Sequence, residues 1–107
     1  MDIEVIKDAI LTGNWFMSQH ARLRAGKRMI SDTDIIIALM NGEIIEDYPH
    51  DPRGSSCLVL GYQRENRPIH IVCSQDSSRS IVIITVYEPE PPKWINERTR
   101  GEKDAAE

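Results

Sequence analysis

Cysteine is scarce in this chain: Cys57 and Cys73 are the two among 107 residues. No disulfide framework follows from them, and they read as reduced, small core side chains. Long apolar runs are missing too. The longest, residues 81–86 with Thr85 inside it, falls far below the roughly 20 residues that span a bilayer. The opening Met1-Asp2-Ile3-Glu4 is acidic where a secretory signal is basic. A soluble cytoplasmic protein with no membrane contact is therefore expected. Positive charge is not in excess: 13 Lys and Arg stand against 17 Asp and Glu, a formal charge of −4. Coating of nucleic acid through bulk charge is thereby disfavoured. There is no glycine-rich phosphate loop and no G-x-S-x-G elbow, so nucleotide hydrolysis by either route lacks support. His20, His50, His70 and the two cysteines show no paired zinc-type spacing, and no metal or cofactor is expected.

What the chain does have is enough for one core. Apolar residues make up 40%, and Ile, Val and Leu recur in ordered patterns, which excludes disorder for the bulk of the chain. The length argues for a single domain over residues 1–100, followed by an acidic, frayed tail at 101–107. Ile3, Ile6 and Ile10 have the spacing of one helical face, closed by Gly13-Asn14. Ser18 can cap a second short helix running to about Arg28, weakened by Gly26. Ser31 and Asp34 read as a capping box, with Ile30 and Ile35 at the staple positions, for a third helix stopping at Asn41-Gly42. Strand patterns follow at 43–48, 57–62, 69–74 and 80–88, joined by links too short for parallel crossovers. Pro89, Pro91 and Pro92 end the last strand, after which Trp94 and Ile95 are expected to dock back on the core. The expected fold is α+β: N-terminal helices packed on one face of a four-stranded antiparallel sheet.

The stretches S-Q-H-A-R-L-R-A-G-K-R-M-I-S, A-L-M-N-G-E-I-I-E-D-Y, S-C-L-V-L-G, R-P-I-H-I-V and I-T-V-Y-E-P, in that order, resemble a bacterial and archaeal family catalogued as domain of unknown function 4258. The resemblance covers about residues 17–94. It implies a relation to the small RelE/ParE-like toxin fold and the wider group of metal-independent RNases. It also implies RNA and a small antitoxin protein as partner classes.

The charge is unevenly spread. From His20 to Arg28 the chain reads H-A-R-L-R-A-G-K-R, four cations and no acid. His20, Arg24 and Arg28 fall at i, i+4 and i+8, one stripe along a helix, with Lys27 near it. Two guanidinium forks beside an imidazole suit a phosphate. The bland alternative is a solvated basic face, or arginines pairing with Glu43, Glu46 and Asp47 of the neighbouring strand. His70 lies mid-strand. A symmetrical turn at 63–67 sets Leu60 opposite His70 and Cys57 opposite Cys73. His70 is then either a satisfied sheet-face residue or a general acid or base. Thr85 and Tyr87 share one face of the last strand, and Tyr87 could stack a base, bond a phosphate or simply cover the sheet edge. Whether Tyr87 and His70 share a side is open, because a single bulge reverses the answer.

Two functions of different class result. The first is a metal-independent endoribonuclease of toxin type, with His20, Arg24, Arg28, His70 and Tyr87 as catalytic candidates. One histidine would serve as base and the other as acid, and the arginines would stabilise phosphate charge. The second is a non-catalytic RNA- or protein-binding module, or an inactive relative of such a toxin.

Overall fold

The computed structural model describes residues 1–52 and 54–101. Three helices precede most of the sheet: α1 (Ile3–Thr12), α2 (Gln19–Lys27) and α3 (Asp32–Met40). The strands are β1 (Trp15–Met17), β2 (Glu43–Tyr48), β3 (Ser56–Gln63), β4 (Arg67–Gln75) and β5 (Ile81–Tyr87). The fold is α+β, but the sheet corrects the expectation of four antiparallel strands. It has five, in the order β1-β5-β4-β3-β2, and β1 runs parallel to β5. The antiparallel meander from β2 to β5 stands as expected. β1 escaped the sequence pattern because three residues are too few to display a period of two. It sits between the left-handed cap of α1 at Gly13 and the N-cap of α2 at Ser18.

Local signals explain the helices. Asp2 caps α1 by accepting from the Glu4 amide at 2.9 Å. Ser31 and Asp34 form the reciprocal capping box of α3, at 3.0 and 3.1 Å. All three helices pack on one face of the sheet, as expected. Ile6, Ile10, Ala21, Ala25, Ile35 and Leu39 join Val59, Ile71, Ile81 and Ile83 in one buried core. Cys57 and Cys73, opposite each other across β3 and β4, are free thiols within it. Gly61 lets α3 lie directly on β3, since a Cβ there would overlap the Ala38 carbonyl.

The other face of the sheet is set by two β-bulges. β3 pairs Leu60 with His70 and Leu58 with Val72, as the symmetrical turn implied. On β5 the register slips at Ile84, so Tyr87 and Thr85 share the face of His70 and Val72, while Val86, Ile83 and Ile81 all turn to the core. On β2 a slip at Ile45 puts both Glu43 and Glu46 on that same second face, opposite Leu60 and Leu58.

Residues 89–101 cross this second face. Trp94 is buried against it at 2% exposure, as expected of a docking residue, whereas Ile95 is 62% exposed and does not dock. Gly101, expected in the frayed tail, is buried, its amide bonded to the Lys93 carbonyl at 2.7 Å. The rest of that tail, 102–107, lies outside the described residues, as does Arg53 of the loop after β2. No helix among the described residues is long and apolar enough to cross a membrane.

Two substitutions test this packing. Gly61→Ala should cost about 1–3 kcal/mol, because the clash is with backbone and cannot be relieved by a rotamer change. Ser31→Ala should cost about 1 kcal/mol through the lost cap. Denaturant midpoints measure both, and an unchanged Gly61→Ala midpoint would contradict the contact between α3 and β3.

Candidate functional site

The basic stripe is positioned by its own helix ends. The Ser18 hydroxyl accepts from the Ala21 amide and donates to the Ile84 carbonyl, both at 3.0 Å. One cap therefore starts α2 and fastens it to the bulge of β5. At the other end Met29 takes a left-handed φ of 57°, with its amide on the Gly26 carbonyl and that of Ile30 on Ala25. This is a Schellman closure with Met29 in the usual glycine position. It buries Ile30 in the core and leaves Arg28 as the final, outward-facing residue of the stripe.

His20 is exposed on the first turn of α2. Arg24 is half-buried against the sheet, with Nη1 3.4 Å from the Thr85 hydroxyl and its guanidinium 5.4 Å from the centre of the Tyr87 ring. The hydrogen bond is long, so the cation–π contact with Tyr87 does more to orient the group. Arg28 is 39% exposed and meets the Glu90 carboxylate at 3.7 Å. The expected partners of these arginines on β2 are taken by others. Glu43 pairs with Arg98, Glu46 with Arg100, and Asp47 with the N-terminal amine. Both glutamates are held below the ordinary carboxylate range, chiefly by hydrogen bonds from those arginines.

His70 lies behind Tyr87 and is fully buried. Its Nε2 is 2.8 Å from the Glu97 carbonyl, which can only accept, so Nε2 carries the proton. Nδ1, 3.2 Å from the Tyr87 hydroxyl, then accepts from the phenol. Trp94 closes the pocket edge-on, with ring centres 4.4 Å apart. Burial pushes the His70 pKa down, opposed mainly by the Glu97 carbonyl. It also pushes the Tyr87 phenol up. The indole N–H of Trp94 is buried and finds no hydrogen-bond partner among the described residues. Its polar contact with the Tyr87 phenol lowers that pKa, against the larger effect of burial.

Of the five sequence candidates, the structure groups Arg24, Tyr87 and His70 in one contiguous row, flanked along α2 by His20 and Arg28. It separates them in chemistry. His20 and Arg28 face solvent, whereas both ring nitrogens of His70 are committed to neighbours. Sequence reasoning missed Glu97 and Arg100, which complete the surroundings of His70 from the C-terminal side, and Arg98, which pairs with Glu43. No pattern marks them, because residues 89–101 carry neither helical nor strand periodicity. An open groove of about 780 Å³ between α1 and the β4–β5 turn contains none of the candidates. His20 and Arg28 lie on the exposed surface of α2, Arg24 and Tyr87 are half-buried beside them, and His70 is enclosed behind Tyr87.

The family described as domain of unknown function (DUF4258) matches residues 17–88. The chain belongs to this family. No curated protein and no solved structure matches it. The matched segment of this DUF4258 chain holds all five candidates, from His20 to Tyr87, and ends immediately before the residues that cover His70.

The buried imidazole makes stability pH-dependent. Its folded-state pKa lies below the ordinary 6.5, so the unfolded chain binds more protons in the interval between the two. The stabilisation is complete above pH 6.5 and is lost as pH falls toward the folded value. The carboxylates Glu46 and Asp34, the latter lowered to about 2 by Arg64, lose their contributions only at lower pH. Thermal midpoints should therefore fall with acidification below pH 6.5, the loss of unfolding free energy being no steeper than about 1.4 kcal/mol per pH unit for one proton. His70→Gln should flatten that segment. An unaltered slope would place the titrating group elsewhere.

Proposed function

We propose that this DUF4258 chain is a metal-independent endoribonuclease of toxin type, with the RelE-like architecture that its family resemblance implies and RNA and a small antitoxin as its partners. The observation that carries the reading is the placement of Arg24, held over Tyr87 and beside Thr85, between the exposed His20 and Arg28. Phosphodiester chemistry at an RNA backbone uses these group types in one row. His20 accepts the 2′-hydroxyl proton as the oxygen attacks the adjacent phosphorus in line. Arg24 and Arg28 stabilise the charge that builds on the phosphate oxygens. The bond to the 5′-oxygen breaks, and that oxygen takes a proton from water at the open face. Tyr87 presents a half-buried ring on which a base can stack.

The commitment of His70 favours a second reading, a module that binds RNA without cutting it. With both nitrogens of His70 engaged, a single exposed imidazole remains on this face, and the acid–base pair expected from sequence is incomplete.

Variants separate the readings. Arg28→Ala should weaken RNA binding by about 1.5–3 kcal/mol, the worth of a hydrogen bond to a charged group. Its effect on stability should stay within about 1 kcal/mol, since its ion pair with Glu90 is exposed. Arg28→Lys should recover only part of the binding, because an ammonium lacks the two-pronged geometry. Binding should also weaken with added salt as counterion release is lost. His20→Ala should spare binding and reduce cleavage by roughly 10²- to 10⁴-fold. Binding without any cleavage by the parent protein would select the second reading. A protein whose Arg28→Ala variant binds RNA as tightly as the parent does not use this stripe for phosphate.

A further inference from the structure

We propose that residues 89–101 form a displaceable strap that holds the RNA-handling face inhibited, and that its opening releases His70 as the second imidazole of that face. The proposal rests on the reading of the α2 stripe given above.

Three observations support it. The family match ends at residue 88, so the strap lies outside the matched unit while covering a row of residues inside it. Without it, His70, Leu58 and Leu60 would stand on an open sheet face. Next, the way the strap is held differs from the rest of the fold. Its one deeply buried side chain is Trp94. Its ion pairs, Arg28–Glu90, Arg98–Glu43 and Arg100–Glu46, lie at a partly or well exposed surface. Its regular structure is a single isolated bridge between Trp94 and Arg100. Apart from Trp94 and the bond of the Glu97 carbonyl to buried His70, the segment is tied at the surface, which sets it toward the low-stability end of the fold. Finally, closure leaves the Trp94 indole N–H buried with no hydrogen-bond partner among the described residues, a penalty carried by the closed state and relieved by water on opening.

The strap acts at both ends of the candidate row. Glu90 lies against Arg28, where the carboxylate occupies a guanidinium otherwise suited to phosphate. The Glu97 carbonyl holds the Nε2 proton of His70, and Trp94 excludes water from the ring. An RNA phosphate that displaces Glu90 therefore loosens the same segment that covers His70. Once released, His70 still touches the Tyr87 hydroxyl, the group that Arg24 faces.

Chemical modification tests opening without RNA. Diethyl pyrocarbonate acylates accessible imidazoles, and peptide mass mapping reads His70 against the exposed His20 in the same molecule. The double variant Arg98→Glu/Arg100→Glu turns two attractions to Glu43 and Glu46 into repulsions. His70 modification should rise by about fivefold or more, an effect within reach of two exposed ion pairs. The charge-swapped variant, with Glu43→Arg and Glu46→Arg added, should return it toward the parent rate. Circular dichroism run alongside distinguishes opening from global unfolding. If His70 is modified only at the rate of global unfolding in every variant, the strap does not open and the proposal is overturned. If the strap opens and RNA is bound but cleaved no faster than by the parent, its inhibitory role is overturned. If neither form binds RNA, it is the ribonuclease reading that fails, and the modification rates alone decide whether the strap is displaceable.

Discussion

The hydrogen bond from His70 Nε2 to the Glu97 carbonyl ties a buried side chain of the sheet to the segment that crosses it. An imidazole in the centre of a sheet face is tolerable only when both nitrogens find partners, since an unmatched buried polar atom costs more than a typical bond returns. The chain meets that demand from two directions. β5 supplies the Tyr87 hydroxyl for Nδ1, and the C-terminal segment supplies a backbone acceptor for Nε2. Trp94 can then close over the ring. The tautomer, the orientation of the Tyr87 phenol and the path of residues 94–97 are consequently fixed together, so a change at any one of them is felt at the others.

That arrangement needs two slips in the period of the sheet. Strict alternation along β5 would send Ile81 and Ile83 to the side of Tyr87 and take them out of the core. The bulge at Ile84 reconciles an odd-numbered apolar pair with an even-numbered Val86. The bulge at Ile45 does the same on β2, turning both Glu43 and Glu46 toward the second face, where Arg98 and Arg100 meet them. The bulge on β5 is also where Ser18 fastens the start of α2. The stripe on α2 and the row on β5 are thus aligned by one irregularity, in keeping with the frequent placement of bulges beside functional groups.

Much of the scaffold was legible because its signals are local. The Ser31–Asp34 box, the Gly13 cap and the symmetrical β3–β4 pairing depend on residues within a few positions of one another, and all three are present. β1 was hidden because a three-residue strand is defined only by its partner β5, more than 60 positions away. The candidate row was half legible for the same reason. The helical spacing of His20, Arg24 and Arg28 is written in the sequence, whereas the side on which Tyr87 and His70 face depends on a bulge that no local pattern declares. The fate of His70 was least legible of all, since its acceptor comes from an irregular loop 27 residues later.

The distribution of charge gives the open face its character. The acids of β2 are answered by Arg98, Arg100 and the N-terminal amine, so the cations of α2 are not spent on the neighbouring strand. Arg22 has a distant and exposed partner in Asp32, and Arg28 has another in Glu90. Such pairs contribute little and exchange readily with solvent ions. A net negative protein thereby keeps a local positive stripe beside an aromatic ring, with anions from its own chain held only loosely near it. Phosphate in a polymer brings several charges at once and competes with such loose pairs better than a single carboxylate does. The overall acidity of the chain then opposes binding away from the stripe, confining any polyanion to the one helix where the cations are concentrated.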